Sequence, residues 1–289
     1  MSYSIIIPAY NEEKSIASIL LKLSDNLNQS HQQYEIIVVN DGSTDGSVEQ
    51  IKRSAVPIVL IDRKINKGYG ASLKEGINAA RYDIIVITDA DGTYPNERIP
   101  ELVQIALTDG CDMLVGARIG KDAKIPFVRK PAKWVIGKLA NYLGEYKIPD
   151  INSGLRVMRK SIVKKFFNIL PNGFSFTTTI TLAMLTNGHA VKYVPIEYFK
   201  REGKSKIRPI RDTLNFVQLI VRTVMYFNPL RIFIPLSLIL ALGGVVIFLI
   251  GKLYFDLVFD STFNVLFFTS ITSLSIGMLA DLIDKRIGK

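Results

Sequence analysis

The first 116 residues alternate short apolar runs with longer stretches whose apolar residues recur at helical spacing. The short, β-branched runs predict five strands, at residues 4–7, 35–39, 57–61, 84–88 and 113–116. The longer stretches predict helices at residues 12–28, 47–54, 70–80 and 96–108. Strands that alternate with helices favour an α/β fold with a mostly parallel central sheet flanked by helices. Because such sheets bind ligands at the carboxyl ends of their strands, polar residues at those ends form the candidate site.

The pattern changes in the last third of the chain. Residues 207–230 space their apolar side chains at intervals of three and four, with arginines beside the apolar face, which predicts an amphipathic helix. This helix either lies at a membrane interface or packs on the preceding domain, and its position before an apolar segment favours the interface. Two charge-free apolar stretches follow, at residues 232–251 and 261–280. About 20 apolar residues cross the ~30 Å hydrocarbon core as a helix, so both stretches are predicted to span a membrane.

These patterns divide the chain into a globular domain at residues 1–206, the amphipathic helix at 207–230 and a membrane region at 231–289. Basic residues precede the first span and follow the second, whereas the linker at 252–260 holds one lysine and two aspartates. The positive-inside rule therefore predicts that the globular domain and the C-terminal tail are cytoplasmic. The N-terminus has neither a basic region nor a cleavable signal, which agrees with a cytoplasmic domain. We thus expect a multi-pass protein of the cell membrane.

Charge and cysteine content narrow the choice of partners. Lysine and arginine outnumber aspartate and glutamate by 36 to 26, a surplus that suits nucleic acid, anionic lipid or phosphorylated substrates. Much of this surplus lies between the α/β region and the apolar tail, and residues 121–136 mix basic and aromatic side chains. That mixture is typical either of a solvated helix or of a membrane interface. The single cysteine, Cys111, excludes an internal disulfide and a thiolate metal cluster, and we interpret it as structural.

The first polar strand end is IIIPAYNEE, at residues 5–13. The predicted strand ends at Pro8, which leaves Tyr10, Asn11 and Glu12 at its carboxyl end. A ring and polar groups at that place suit a nucleobase and a ribose. The alternative is local, because Asn11 is also a favourable cap for a helix that begins at Glu12.

The second polar strand end is VVNDGSTDGS, at residues 38–47. Asp41 lies nearest the strand end and is our candidate for hydrogen bonds from a base or from ribose hydroxyls. We interpret Ser43 and Asp45 as turn-forming residues, since Asp, Gly and Ser all stabilise turns locally.

A glycine-containing segment, NKGYGASLKEGI, occupies residues 66–77. Gly68 and Gly70 precede a predicted helix whose N-terminus would face a diphosphate. The alternative is that the glycines only permit a tight loop. The segment is neither a GxGxxG fingerprint, because residue 73 is leucine, nor a Walker loop, which disfavours a dinucleotide-dependent oxidoreductase.

The most informative motif is IIVITDADGTYP, at residues 84–95. A predicted strand ends in Asp89-Ala90-Asp91, and alternation along an extended chain points both carboxylates to the same side. Paired carboxylate oxygens select Mg²⁺ or Mn²⁺, ions that also bind substrate phosphates. With two other polar strand ends beside it, the motif predicts a metal-assisted nucleotide site at Asp89 and Asp91.

These four motifs, in this order, resemble the family-2 glycosyltransferases of GT-A fold. The later part of the chain resembles their polyprenyl-phosphate, dolichol-phosphate mannose synthase-like branch. The resemblance rests there on three segments, INSGLRVMRK at residues 151–160, GFSFTTTITLAML at 173–185 and VPIEYFKREGKSKIRPIRDTLNF at 194–216. It covers residues 3–216 and implies an interface helix followed by a variable number of membrane spans.

The resemblance implies a role for each matching residue of the donor site. The nucleotide-sugar site would comprise Asp89, Ala90, Asp91 and Arg118 together with the following residues of the first two motifs: Pro8, Tyr10, Asn11, Glu12, Val39 and Asp41. Asp89 and Asp91 would hold Mg²⁺ or Mn²⁺ and the diphosphate, with Asp91 counted as catalytic. Which sugar and which nucleotide are bound stays open, since mannose from a GDP-sugar and glucose from a UDP-sugar both fit.

On the acceptor side, the resemblance implies that Arg201 and Lys206 hold phosphate groups. Ser153 and Arg156 are assigned to the entrance of the acceptor site, with an ordinary turn into a helix as the alternative. A polyprenyl phosphate needs positioning more than a base, whereas a hydroxyl acceptor would need a carboxylate base, for which Asp150 is the candidate.

The sequence thus predicts an inverting hexosyltransferase that uses a nucleotide sugar and a polyprenyl phosphate at the cytoplasmic face of the membrane. A membrane glycosyltransferase with a hydroxyl acceptor and a non-catalytic membrane-anchoring module are the alternatives. We expect no nucleic-acid partner, and a homo-oligomer is compatible with the sequence. One departure from the resemblance is the run Thr177–Thr178–Thr179, where many relatives carry an acidic residue.

Overall fold

The computed structural model describes residues 1–30, 32–119, 148–199, 218, 221, 225, 228–254 and 260–287. The chain divides into two compact units, Met1–Phe216 and Val217–Lys289. The first unit is an α/β domain, and the described part of the second consists mainly of two long helices.

The first unit is built on a seven-stranded sheet. Its strands are β1 (Ser2–Ala9), β2 (Gln33–Asp41), β3 (Val59–Arg63), β4 (Ile84–Ile87), β5 (Met113–Ala117), β6 (Arg156–Arg159) and β7 (Val191–Pro195). The order across the sheet is β3-β2-β1-β4-β6-β5-β7. Only β6 runs antiparallel to its neighbours β4 and β5, while the other pairs are parallel. The mostly parallel sheet predicted from the sequence is confirmed.

Helices cover both faces of this sheet. They are α1 (Ile16–Gln29), α2 (Ser47–Arg53), α3 (Tyr69–Ala79), a 3₁₀ turn (Asn96–Arg98), α4 (Ile99–Thr108), α5 (Lys160–Lys165) and α6 (Phe176–Thr186). Side chains of β1 alternate between the faces: Ile5 and Ile7 join a core with α1 and α4, whereas Ile6 lies against Gly76 of α3. Burial of both faces explains why β1 and β2 read as continuous apolar runs.

Several boundaries differ from the sequence prediction; for example, β1 spans Ser2–Ala9 where residues 4–7 were predicted, and β3 spans Val59–Arg63 where 57–61 were predicted. The helix expected from residue 12 begins at Ile16, because the backbone amides of Ser15 and Ile16 both close turns on the Glu12 carbonyl. Residues 152–156 were assigned to the entrance of the acceptor site, with a turn into a helix as the alternative. The chain there leads into strand β6, at Arg156–Arg159, before α5 begins. This antiparallel strand lies between β4 and β5 in the sheet.

The second unit contains α7 (Leu230–Tyr254) and α8 (Asp260–Ile287). Their apolar cores, Leu230–Leu253 and Ser261–Ile283, have mean hydropathies of 2.8 and 1.7 and are long enough to cross a membrane. In the most apolar 18-residue stretch of each segment only 11% and 17% is buried, in contrast to the mostly buried core helix of a soluble protein. Both predicted spans are therefore confirmed as candidate membrane helices, and we describe the chain as a membrane protein.

Candidate active site

The strand order brings three polar strand ends together at one edge of the sheet. Strands β2, β1 and β4 are adjacent and parallel, so their carboxyl ends lie side by side. Residues 10–12 follow β1, residues 41–47 include the end of β2, and the pair Asp89 and Asp91 follows β4. The edge predicted to hold the site is therefore one continuous surface.

The turns after β1 and β2 are fastened to each other. The backbone amide of Asn11 donates to Ser43 Oγ at 3.0 Å, and the amide of Thr44 donates to Asn11 Oδ1 at 2.8 Å. The amide of Glu12 likewise donates to Ser47 Oγ at 2.8 Å. Asn11, with φ of +56°, therefore joins two turns and does not cap a helix at Glu12. Tyr10 stays 39% exposed beside this junction and is accessible to a planar ligand.

Ser43 and Asp45 do more than stabilise their own turn. Asp45 accepts from the backbone amide of Ser47 at 3.0 Å and from that of Glu13 at 3.2 Å. Burial works against ionisation of Asp45, but the hydrogen bonds from Ser47 and the amides outweigh it and lower its pKa. Both residues thus hold the β1 turn to the β2 turn.

Asp41 is buried and bonded within the protein. It forms an ion pair with Arg63 at 3.0 Å and accepts from the amides of Lys67 and Gly68 at 2.9 and 2.8 Å. Its carboxylate therefore holds the loop that precedes α3. Val39 and Pro8 are also buried, so they form the floor beneath this edge. Contact of these three residues with a nucleoside remains a prediction.

The glycines before α3 serve close packing of the chain. The amide of Ala71 donates to the Asn172 carbonyl at 3.0 Å. A Cβ at Gly68, whose φ is +99°, would lie 2.5 Å from that carbonyl oxygen, and one at Gly70 would overlap the carbonyl oxygen of Pro171. The amides of Gly68 and Ala71 are thus occupied by protein acceptors. These contacts support the tight-loop interpretation of the two glycines, and contact of this helix N-terminus with a diphosphate stays a prediction.

The two aspartates after β4 flank the buried Ala90, and a shared orientation of their carboxylates stays a prediction. Ala90 between them is 3% exposed, whereas Asp89 and Asp91 are both partly exposed. Tyr69 Oη donates to Asp89 Oδ1 at 3.0 Å, and the hydroxyl of Thr93 donates to Asp91 Oδ1 at 2.6 Å. Among the described residues, no group of three or more Asp, Glu, His or Cys side chains is arranged to hold a metal ion. A cation here would therefore take its remaining ligands from substrate and water.

Arg118, which is partly exposed, and the buried Asp150 form an ion pair with two hydrogen bonds at the carboxyl end of β5. Arg118 Nε lies 2.7 Å from Asp150 Oδ2 and Nη2 lies 2.9 Å from Oδ1. Burial opposes ionisation of Asp150, but these bonds prevail and lower its pKa. The Arg118 guanidinium also lies over the Tyr198 ring, 5.2 Å from its centroid. These contacts give Asp150 a structural role and weigh against its assignment as a general base.

An aromatic cluster that the sequence analysis missed supports this side of the site. Tyr94 Oη accepts from the amide of Gly154 at 2.6 Å, and its ring meets Tyr198 edge-on with centroids 5.4 Å apart. The amide of Phe199 donates to the Thr93 carbonyl at 2.9 Å. Burial holds the pKa of Tyr94 well above its usual range, so its phenol remains protonated. The sequence signal that could have identified Tyr94 is its position three residues after Asp91.

Two residues assigned to the acceptor lie inside the protein. Arg156 and Ser153 are both 0% exposed. The Arg156 guanidinium donates to the Ser153 and Ile151 carbonyls and to Thr181 Oγ1, while Ser153 donates to the Gly116 carbonyl. Burial lowers the pKa of Arg156. Both residues therefore brace β6 and the preceding loop and do not face an acceptor phosphate.

The threonines at 177–179 are likewise buried in α6. Thr177 Oγ1 donates to Asn152 Oδ1 at 2.7 Å and Thr179 Oγ1 donates to the Ser175 carbonyl at 3.0 Å. Thr177 thus ties the 150–154 loop to the helix, whereas Thr179 bonds within its own first turn.

Several predicted features lie outside the described residues. They are Arg201, Lys206, the basic segment at 121–136 and most of the amphipathic helix at 207–230. Within the last of these, Gln218, Val221 and Met225 are described as helical.

Three similar proteins of known name are sugar transferases whose names include dolichol, dolichyl or undecaprenyl phosphate. A dolichol-phosphate mannosyltransferase of Pyrococcus furiosus is 31% identical over 72% of this chain. The match covers 60% of the length of that relative. An undecaprenyl-phosphate 4-deoxy-4-formamido-L-arabinose transferase of Aeromonas hydrophila is 31% identical over 79% of this chain and 69% of its own. A dolichyl-phosphate hexose transferase of Haloferax volcanii is 28% identical over 71% of this chain and 86% of its own length.

Solved structures agree on the fold. Glucosyl-3-phosphoglycerate synthase of Mycobacterium tuberculosis, in complex with phosphoglyceric acid, matches with a TM-score of 0.60 at 20% identity over 77% of this chain and 80% of its own. The same enzyme with Mn²⁺, UDP and phosphoglyceric acid gives a TM-score of 0.60 at 20% identity, over 77% of this chain and 78% of the enzyme. The family model described as Glycosyl transferase family 2 matches residues 4–167, more than half of the chain. The chain therefore belongs to glycosyl transferase family 2.

Proposed function

We propose that this chain transfers a hexose from a GDP- or UDP-sugar to a polyprenyl phosphate, with inversion at the anomeric carbon. The observation that carries the proposal is the junction of three polar strand ends around Asp89 and Asp91. The named relatives, which carry dolichol- or undecaprenyl-phosphate sugar transferase names, support the choice of acceptor.

The donor site is proposed at this edge. The exposed Tyr10 ring would contact the nucleobase, and the Asn11–Ser43 and Glu12–Ser47 bonds would fix the turns around the nucleoside. Arg118 would lie beside the sugar diphosphate, held in one orientation by Asp150. An oriented guanidinium loses less entropy when it binds an anion than a mobile one does.

The aspartates fit a divalent cation. Both carboxylates are partly exposed, and hard oxygen ligands suit Mg²⁺ or Mn²⁺. Gly154 leaves the space beside Asp89 open, because a Cβ there would lie 2.7 Å from Oδ2. A bound cation would offset the charge that develops on the leaving diphosphate.

The acceptor chemistry follows from the protonation states. A phosphomonoester has a second pKa of about 6, so its attacking oxygen is largely deprotonated at pH 7. That oxygen forms the new bond to the anomeric carbon while the bond to the donor diphosphate breaks, and no proton need be removed. A hydroxyl acceptor would need a base, and the ion pair with Arg118 makes Asp150 unsuited to that task. This contrast favours a phosphate acceptor.

The membrane helices support a lipid acceptor, since its phosphate lies at headgroup level. We propose that the catalytic domain faces the cytoplasm, following the distribution of basic residues around the two spans. Arg201 and Lys206 remain the proposed contacts for the acceptor phosphate.

A donor screen tests the proposal. Membranes that contain the full chain are incubated with Mg²⁺ or Mn²⁺, a polyprenyl phosphate and each of a panel of radiolabelled nucleotide sugars. We expect a labelled glycolipid with one donor class and its loss, by at least 100-fold, in Asp91→Ala, because a ligand of the cation is removed.

The matched control is Asp109→Ala. Asp109 is an exposed aspartate in the connection that leads into the amino end of β5, away from the carboxyl-end site, and should keep full activity. Glycolipid formation by Asp91→Ala at the wild-type rate would refute the metal assignment. Label on an alcohol but never on a polyprenyl phosphate would favour a hydroxyl acceptor, and no product with any donor would favour a non-catalytic module.

A further inference from the structure

Tyr69, the first residue of α3, contacts one of the two aspartates. Its phenol donates to Asp89 Oδ1 at 3.0 Å, across 20 residues of sequence. Asp91 is bonded differently, by the amide and hydroxyl of nearby Thr93 at 3.1 and 2.6 Å. The orientation of Asp89 thus depends on another element of the fold.

The Tyr69 ring is itself held in place. It stacks on Phe174 with centroids 5.7 Å apart and planes 16° from parallel. The backbone supports this stack, because Ala71 donates to the Asn172 carbonyl at 3.0 Å and Gly70 lies against Pro171. The loop at residues 171–174 therefore fixes the start of α3 and the ring that projects from it.

The Asp89 carboxylate also lies close to Gly154. A Cβ there would lie 2.7 Å from Oδ2 and 3.0 Å from Oδ1, so only a glycine leaves the carboxylate its present place. Gly154 is in turn anchored by the hydrogen bond from its amide to Tyr94 Oη. The Asp89 carboxylate thus lies close to both the Tyr69 phenol and the Gly154 backbone.

We propose that Tyr69 is a positioning residue for Asp89, which sets the carboxylate for a divalent cation. The inference rests on the metal-assisted donor site proposed above. Carboxylates that bind metal ions are themselves usually hydrogen-bonded, and loss of such an outer partner typically lowers metal affinity by 10- to 100-fold. A purely structural tyrosine would affect stability without changing metal affinity.

The test is Tyr69→Phe in the full-length protein in detergent, titrated with Mn²⁺ in the presence of UDP or GDP. Free Mn²⁺ is followed by electron paramagnetic resonance, so the measurement needs neither sugar donor nor lipid. We expect the Mn²⁺ dissociation constant to rise by about 10-fold or more. Any activity lost at low metal concentration should return as the metal concentration is raised. Tyr34→Phe is the matched control. It also removes a phenol hydrogen bond, the one from Tyr34 in β2 to Asn28 in α1, and this variant should bind Mn²⁺ like the wild type.

Phe174→Leu is the second variant. Phe174 is 79% exposed, so its replacement should leave the fold intact while it removes the stack on Tyr69. We expect a smaller rise in the Mn²⁺ dissociation constant, in the same direction. Wild-type Mn²⁺ affinity in both variants would overturn the positioning role and leave the proposed transfer standing.

Failure of the wider proposal gives a different pattern. If Asp89→Asn binds Mn²⁺ as tightly as the wild type does, the metal site itself is refuted, and the role of Tyr69 with it. If the wild type binds Mn²⁺ through Asp89 and Tyr69→Phe weakens that binding, the inference stands even when the donor screen finds no glycolipid.

Discussion

At the scale of residues, the ion pair between Arg118 and Asp150 decides how the end of β5 is held. Asp150 exposes 5% of its side chain and accepts from the Arg118 backbone amide as well as from the guanidinium. A buried pair contributes little over a well-packed apolar one, but removal of one partner leaves an uncompensated charge. The role of Asp150 is therefore to fix the position of the Arg118 side chain and not to transfer a proton.

Asp150→Asn should destabilise the protein by about 3–5 kcal/mol, because Arg118 would stay partly buried without its counter-charge. The measurement is thermal or denaturant unfolding of the full chain in detergent. Asp109→Asn is the control, since its exposed pair with Lys192 should contribute no more than about 1 kcal/mol. Equal unfolding midpoints for the two variants would show that the Arg118 pair carries no special stabilisation.

The same pair predicts a pH dependence. The pKa of Asp150 is lower in the folded protein than its ordinary value of 3.8. Its contribution to stability is therefore complete above that ordinary value and falls as the pH drops through the folded-state pKa. The stability difference between wild type and Asp150→Asn should thus be constant near neutral pH and shrink below about pH 4. A difference that grows in acid would contradict this assignment.

The roles of charged residues were harder to predict from the sequence than their position near strand ends. Asp41, Asp150 and Arg156 stand out in the sequence as charged groups near strand ends, yet each is buried against protein partners. Those partners, such as Arg63 for Asp41 and Thr181 for Arg156, lie 22 and 25 residues away. Local sequence identifies a charged side chain but does not reveal the distant group that neutralises or satisfies it.

At the scale of elements, the first five strands were predictable because each carries a short apolar run, although β3 is only partly buried. Strand β6, with the sequence RVMR, begins and ends in arginine and carries no such signal. Helix α6 buries ten successive residues, from Phe176 to Leu185, so it lacks the polar stripe on which helix periodicity depends. The region after β5 therefore read as irregular although it completes the sheet.

The packing of α7 on α8 provides a test at this scale. A Cβ built on Gly277 would overlap the side chain of Phe233, so the two helices approach through this glycine. Gly277→Val should destabilise the pair by about 1–3 kcal/mol through overpacking. The measurement is thermal unfolding in detergent micelles.

Gly243→Val is the matched control for that experiment. Gly243 lies in α7, and a Cβ there would have no atom within 4 Å. The same substitution should therefore leave the unfolding midpoint close to that of the wild type. If both valine variants lower the midpoint equally, the cost lies in the substitution itself and not in the contact with Phe233.

At the scale of the whole molecule, two units of different composition share one chain. The first unit has a two-sided α/β core, whereas the described helices of the second expose most of their apolar side chains. Length and composition were sufficient to predict two long apolar helices after an α/β region, because each span is a long charge-free run. They also allow a prediction of orientation, since lysine and arginine are enriched outside the pair of spans and sparse between them.

Impermeant maleimide labelling of intact cells tests that orientation. Because the chain has a single cysteine, Cys111→Ser gives a background for one new cysteine at a time. Lys164→Cys, on the exposed side of α5, should react only after lysis, whereas Ser261→Cys, at the start of α8 beside the linker, should react in intact cells. The reverse pattern would place the catalytic domain outside the cell. A nucleotide-sugar donor made in the cytoplasm would then be out of reach, so labelling of Lys164→Cys before lysis would contradict the proposed function as well as the topology.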